Sequence, residues 1–312
     1  MESRLSRAVM LCMVLIIVLG LSAACTAPVE EEKVLSRIEV TDKLGRTVIL
    51  AKVPQRIVSL APSNTEILFA LGLGERVLAV TDYCDYPPQA EEKPSVGGFT
   101  TPNIERVVAY SPDLILATSI HEDRVIPQLE QKGLPVLALK SRTLEDVMAA
   151  ITFVGTVTGK EKEAAELLTA MRLRIKSVTD KTDNLPEGQR PRVFYAVWHD
   201  PLKTAGGDTI HNELIRKAGG INIAEGLSGY AGIGLETVLD TNPEVIIAST
   251  THGSSGELIF QFMETEPRLS ITAARRQQRV HHLDGNLVSR TGPRLVDGLE
   301  VFAGFIHPEL FR

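Results

Sequence analysis

A chain of 312 residues, 44% of them hydrophobic, is long enough to fill one large core or two. Its formal net charge of −6 argues against a nucleic-acid polyanion as the main partner, and no basic run or aromatic–basic stripe offsets that charge. With 3 cysteines, the sequence holds no disulfide framework, so the fold must stand on its core.

The N-terminus reads as a targeting segment. Arg4 and Arg7 precede an apolar run from Ala8 to Leu21, and small residues then lead to Cys25. A charged start, a short apolar stretch and a small-residue cleavage site describe a secretory signal over residues 1–24. The run is too short for a comfortable transmembrane helix, which needs roughly 20 apolar residues. The cysteine after the small residues resembles a bacterial lipobox, which would make Cys25 a lipidation site; Ser22 stands where a large aliphatic residue is usual. An ordinary cleaved signal with an incidental cysteine is the alternative. Residues 25–37 then form a polar tether, and Cys84 is the one thiol of the folded body.

Beyond the tether, strand and helix alternate. "RIVSLAPSNTEILFALGLG" predicts a strand from Ile57 to Leu60, then a helix Thr65–Leu71 stopped at Gly72, with Ser63 and Glu66 at capping-box spacing. Further strands are expected at "RVLAVTDY", "DLILATS" and "LPVLAL", with a short helix Ile104–Tyr110 before Pro112. From Gly159 to Thr182 strong helix formers run without Pro or Gly after the first residue, and Leu167, Leu168, Met171, Ile175 and Val178 recur at helical spacing. With the segment before it, this predicts one or two long helices. The cadence then restarts: "RVFYAVW" as strand, "DTIHNELIRKAGG" as helix with Asp208 or Thr209 as N-cap, and "EVIIAST" and "RVHHLDG" as strands.

The two halves share a unit. "NIERVVAYSPDLILATSIH", ending at His121, is matched by "LETVLDTNPEVIIASTTH", ending at His252, at a constant offset of 131 residues (Glu236 against Glu105). The same offset pairs Val107 with Val238, Pro112 with Pro243 and Asp113 with Glu244. The expected fold is α/β: a parallel-sheet N-terminal lobe (38–155), a connecting backbone helix (156–186) and a similar C-terminal lobe (187–312), with a ligand cleft between the lobes.

Only 5% of residues are aromatic, so aromatics in loops are informative. Tyr83 and Tyr86 follow a predicted strand, Phe99 sits among small residues, Trp198 ends a strand and Tyr230 lies in a glycine-rich loop. Loops at the carboxyl ends of parallel strands face the ligand crevice, and flat rings there suit a large planar ligand. Each ring could instead cap its own lobe. Glu105 and Glu236 open equivalent helices; such residues often only complement the helix dipole, worth under ~1 kcal/mol. His121 and His252 follow equivalent strands and could serve as cleft or axial histidines toward a metal-centred ligand, although solvated loop histidines are commoner. Enzyme signatures are missing from the sequence: "HGSSG" lacks the spacing of a nucleophile elbow, "TAGGDT" lacks a Walker lysine and "HHLD" is a weak metal motif.

Taken together, "RIVSLAPSNTEILFALGLGERV", "VTDYCDYPPQA", "VGGFTTPNIERVVAYSPDLILA", "DTIHNELIRKAGGINIAE" and "SRTGPRLVDGLE" resemble the periplasmic cobalamin-binding proteins of ABC importers, within the helical-backbone class of siderophore, haem and corrinoid receptors. The resemblance covers residues 38 to 307 or so. It implies two Rossmann-like lobes bridged by a long helix, with a corrinoid such as cobalamin held in the cleft. Tyr83 matches a ring-contacting tyrosine, Phe99 and Tyr230 stand where tryptophans are often found, and Thr118 occupies a third such position. The loop Asn286–Arg290 matches a ligand-contacting loop, with Asn286, Ser289 and Arg290 as polar contacts; Trp198 is added as an aromatic surface. Glu105 and Glu236 match acidic knobs that dock on the membrane permease dimer of the transporter. The resemblance thus implies a monomer that captures and delivers its ligand without catalysis, with no cofactor and no metal held by protein side chains alone. The N-terminal segment adds export and a lipid anchor at the periplasmic or extracellular face of the membrane, and haem or a ferric siderophore is the alternative ligand.

Overall fold

The computed structural model describes residues 37–250 and 255–311; the signal segment, the tether, Cys25 and His252 lie outside the described residues. A hairpin of β1 (Ile38–Thr41) and β2 (Thr47–Leu50) precedes the first lobe. That lobe runs through β3 (Ile57–Ser59), α1 (Pro62–Ala70), β4 (Val77–Ala79), α2 (Pro88–Glu91), α3 (Ile104–Ala109), β5 (Leu114–Thr118), α4 (Val125–Gln131) and β6 (Val136–Leu139). Its sheet is wholly parallel, in the order β4-β3-β5-β6. α5 (Leu144–Thr158) and α6 (Glu161–Thr182) then lead to the second lobe.

That lobe comprises β7 (Arg192–His199), β8 (Leu202–Ala205), α7 (Ile210–Lys217), β9 (Ile221–Asn222), β10 (Tyr230–Gly232), α8 (Leu235–Thr241), β11 (Val245–Thr250), α9 (Ser255–Thr265), α10 (Ala273–Arg276), β12 (Val280–Asp284), α11 (Asn286–Ser289) and α12 (Leu295–Ile306). Its sheet is mixed rather than parallel throughout. β7, β11 and β12 are parallel, but β8 folds back antiparallel on β7 and carries β10 outside it. A short return at Asp200–Pro201 allows a hairpin where the first lobe needs a helical crossover.

The connecting segment is two helices. Gly159, at φ +68, ends α5 in a left-handed turn, so the backbone helix proper is Glu161–Thr182 rather than the expected 156–186. α5 starts on a reciprocal cap between Thr143 and Asp146. Gly155 brings the two helices close, since a Cβ there would stand 2.7 Å from that of Ala164. α6 buries Ala164, Leu168, Met171 and Val178 along one face.

The duplication holds down to single hydrogen bonds. Leu114 and Leu116 on β5 enter a core shared by both lobes, and so do Val245 and Ile247 on β11; Ile115 and Ile246 face separate cores on the far sides of their sheets. Asp113 accepts from the amide of Arg56, and Glu244 accepts from the amide of Arg192. The guanidinium of Arg56 donates to the carbonyls of Tyr110 and Ser111, that of Arg192 to Thr241 and Asn242. Ser111 and Asn242 both take φ +46, the left-handed turn that ends the short helix of each unit. The shared core ties both sheets to α5, α6 and α12.

Candidate functional site

A cleft of about 840 Å³ opens between the lobes. The first lobe supplies the loops after β3, β4, β5 and β6; the second supplies Tyr230 on β10 and Ser289, Arg290 and Thr291 after α11. The first-lobe loops leave the carboxyl ends of parallel strands, where side chains need not pack between sheet and helix, whereas Tyr230 opens the antiparallel strand β10. Of the residues singled out above, Tyr83, Phe99, Thr118, Tyr230, Ser289 and Arg290 all line the cleft. Tyr83 is 45% and Tyr230 55% exposed, large rings left facing open space. Hydroxyls of Ser63, Thr100, Thr118, Ser119 and Ser141 make up much of the remaining wall, with no carboxylate among the described lining residues.

Three expectations need correction. His121 is not a cleft histidine: it is fully buried, its Nε2 lies 2.6 Å from the Phe99 carbonyl and its Nδ1 accepts from the Thr118 amide at 3.1 Å. Both ring nitrogens are engaged, and burial holds the imidazole below its usual pKa, with the Phe99 hydrogen bond pulling weakly the other way. His121 therefore positions the wall, setting Phe99 and Thr118 from behind, with the Phe99 ring edge-on at 5.5 Å. Trp198 does not line the cleft either. Its indole N–H donates to the Asp200 carbonyl at 2.7 Å and its ring packs on His199 at 5.2 Å. Asn286 opens α11 and also stands outside the cleft wall, its amide donating to Asp284.

Arg290 is less a free ligand contact than the centre of an ion network between the lobes. Its guanidinium makes a bidentate pair with Asp85, donates to the Tyr83 carbonyl at 3.1 Å and approaches Glu66 at 3.6 Å. Glu66 takes two further hydrogen bonds from Arg294, at 2.5 and 3.1 Å, and Arg294 lies 3.8 Å over the Tyr86 ring. The expected Ser63–Glu66 capping box does not form. α1 starts with Pro62 after an uncapped Ala61, and Glu66 points to the other lobe. Hydrogen bonds from Arg290 hold the Asp85 carboxyl below the ordinary range, whereas burial pushes Glu66 up despite its arginines.

Behind Tyr230 lies a residue that sequence reasoning passed over. His211 on α7 is buried, 4.5 Å from the Tyr195 ring and with Nδ1 3.4 Å from the Tyr230 hydroxyl. Burial lowers its pKa to about 3. Because the folded value lies below that of the unfolded chain, near 6.5, its contribution to stability is present above that value and is lost as pH falls. Between pH 7 and pH 5 the loss should reach about 2 kcal/mol, and His121 adds to it with the same sign. Denaturant titrations at the two pH values check this; His211→Gln should flatten the dependence, and an unchanged slope would count against it. In "DTIHNEL" nothing marks this histidine as interior, since it occupies an ordinary position on an amphipathic helix.

Among the described residues no group of three or more His, Cys, Asp or Glu side chains converges to hold a metal ion. Two α/β lobes, a continuous bridging core and an open, aromatic, weakly charged cleft define a ligand-capturing receptor. The chain belongs to the periplasmic binding protein family, whose model matches residues 57–287. It is 33% identical over 283 residues to the uncharacterized ABC transporter substrate-binding lipoprotein YvrC of Bacillus subtilis, covering 88% of this chain and 87% of that one. It is 30% identical over 248 residues to a vitamin B12-binding protein of Pectobacterium carotovorum, covering 78% of this chain and 85% of that one. A periplasmic heme binding protein of Pseudomonas aeruginosa superposes with a TM-score of 0.72 at 27% identity, over 82% of this chain and 93% of that structure. The protein is thus a substrate-binding protein of the ABC-transporter kind, an exported carrier rather than an enzyme.

Proposed function

We propose that the cleft captures a corrinoid, cobalamin or a close relative, and delivers it to the permease. The observation that carries this reading is the cleft wall itself: exposed Tyr83 and Tyr230 with Phe99, surrounded by hydroxyls and almost without charge. Such a surface suits a broad, amide-fringed ring system that hydrogen-bonds around its rim and packs on aromatics across its faces. At about 840 Å³ the cleft lies toward the upper end of the usual ~300–1,000 Å³ range of ligand pockets. The similarity to a vitamin B12-binding protein supports the same choice.

Haem is the second reading, favoured by the superposition on a heme binding protein. Haem asks for an axial ligand from the protein. No histidine lines the cleft among the described residues, which leaves Tyr83 and Tyr230 as the side chains that could offer such a ligand. A ferric siderophore, usually anionic, would be served by a cluster of cations, whereas the described wall offers Lys140 and the ion-paired Arg290.

Calorimetric titration with cyanocobalamin, cobinamide, haem and a ferric siderophore tests the reading. Tight one-to-one binding of a corrinoid is expected; saturable binding of haem or siderophore alone would transfer the role to that ligand. Tyr83→Ala should weaken corrinoid binding by ~1–3 kcal/mol with little effect on melting, because its ring is half-exposed without ligand. Wild-type affinity in that variant would rule out a central role for the ring. Docking is assigned to Glu105 and Glu236, in the first turns of α3 and α8 and both exposed. Cys25, if lipidated, would hold the receptor near the importer and raise its effective concentration there.

A further inference from the structure

Charge in the cleft is sparse and uneven. Among the described lining residues Lys140 and Arg290 alone carry full charges. Arg290 meets Asp85 and Glu66, so its charge is largely answered within the protein. Lys140 is different: it is exposed on the first lobe's wall, and no described residue pairs with it by hydrogen bond or salt bridge. It directly follows β6, whose Leu139 is in register with Thr118 of β5, so Lys140 and Ser119 leave the ends of adjacent strands together. Ser119 begins a short 3₁₀ turn, and Ser141 follows Lys140; both line the cleft. A cation flanked by hydroxyls, in a wall without carboxylates among the described residues, is placed to meet an anionic group.

We infer that Lys140 reads a single anionic group on the ligand, a phosphodiester, and makes the cleft select a ring system that carries this group over the same ring system without it. The inference rests on the corrinoid reading above. Cobalamin carries one phosphodiester in the loop that holds its lower base; cobinamide has the same macrocycle and lacks that loop. A cation that meets the phosphodiester adds affinity for the first ligand alone. A lysine that is merely solvated at the rim does the same for both, or nothing for either.

The experiment is calorimetric titration of the full chain and its Lys140→Ala, Lys140→Glu and Lys140→Arg variants with cyanocobalamin and with dicyanocobinamide, each at low and high salt. Expected are a cobalamin affinity about three- to tenfold weaker in Lys140→Ala, weaker still in Lys140→Glu and recovered in Lys140→Arg, with cobinamide affinity constant across the series. The wild-type preference for cobalamin should shrink at high salt. Melting temperatures should stay together, because Lys140 is exposed and has no partner among the described residues. Cobalamin binding that is indifferent to Lys140, or losses equal for the two ligands, would overturn the inference and leave the corrinoid reading intact. Failure of the wild type to bind either corrinoid would overturn both.

Discussion

Glu66→Ala should destabilise the protein by about 3–5 kcal/mol, the largest stability loss expected from a single cleft-proximal substitution. Glu66 is 3% exposed and sits beneath two arginines of the opposite lobe, Arg294 at 2.5 Å and Arg290 at 3.6 Å. Removing its carboxylate takes both Glu66 hydrogen bonds from Arg294, leaving it the Tyr86 ring and the more distant Asp85, and takes an acidic neighbour from Arg290. An uncompensated buried charge costs far more than the intact pair contributes. Burial pushing Glu66 upward in spite of its partners points the same way, since the assembled pair gains little net stability and chiefly holds a geometry. That geometry joins α1 of the first lobe to the residues around α12 of the second, directly under the cleft. Glu66→Gln should cost less, because the amide oxygen can still accept one arginine hydrogen bond. Equilibrium denaturation of the three proteins checks the ranking, and a loss below about 1 kcal/mol for Glu66→Ala would show that the network is not coupled to folding. Corrinoid affinity should fall in the same variant, as Arg290 also holds the Tyr83 carbonyl at 3.1 Å.

Reversing both Glu105 and Glu236 to lysine should abolish uptake through the transporter while leaving ligand affinity and melting temperature near wild type. Each residue lies in the first turn of the equivalent helix of its lobe, α3 and α8, and the constant offset places them as a matched pair. Glu105 is 80% exposed and its ion pair with Lys132, at 3.8 Å, is long and solvent-screened. Such a pair holds the glutamate weakly, leaving it available to a cationic partner. Neither residue lines the cleft, so ligand capture has no route to the change. Against a cationic docking surface on the permease, two reversals would turn attraction into repulsion, and like-charge juxtaposition at an interface costs several kcal/mol. Either single reversal should leave partial transport, since the other lobe still docks. The check is ligand uptake in cells carrying the cognate transporter, beside calorimetry on the purified variants. Full uptake by the double variant would remove the docking assignment.

Much of the architecture follows from short-range pattern. Alternating apolar strands, the helix formers of Glu161–Thr182 and the repeated unit all declare themselves within windows of about twenty residues, because side-chain periodicity and helix propensity are local. The repeat carries further than expected: Asp113 with Glu244 and Ser111 with Asn242 keep the same bonds and the same backbone turn in each lobe. Loop aromatics were legible for a related reason. Tyr83 and Phe99 lie in the stretch after β4, a parallel strand whose carboxyl end faces the crevice, whereas Tyr230 comes from the start of β10, an antiparallel strand that the sequence reads as a loop.

What the sequence could not decide was which partner a polar side chain takes when several are in reach. Ser63 and Glu66 have capping-box spacing, yet Glu66 pairs with Arg294, 228 positions away, because the lobes close α1 against that arginine. His121 reads as a loop histidine at the end of its unit, but the 3₁₀ turn after β5 folds it inward to bond Phe99, 22 positions earlier. Trp198 ends its strand turned toward His199 and Asp200, since β7 continues into the β8 hairpin instead of opening on the cleft. Lys140 carries no signal at all in sequence; it matters because its neighbours in the wall bear no opposite charge. Periodicity determined the lobes and the existence of a cleft between them. The pairing of charges across that cleft depends on distances that only the folded chain sets, and tertiary structure alone decided it.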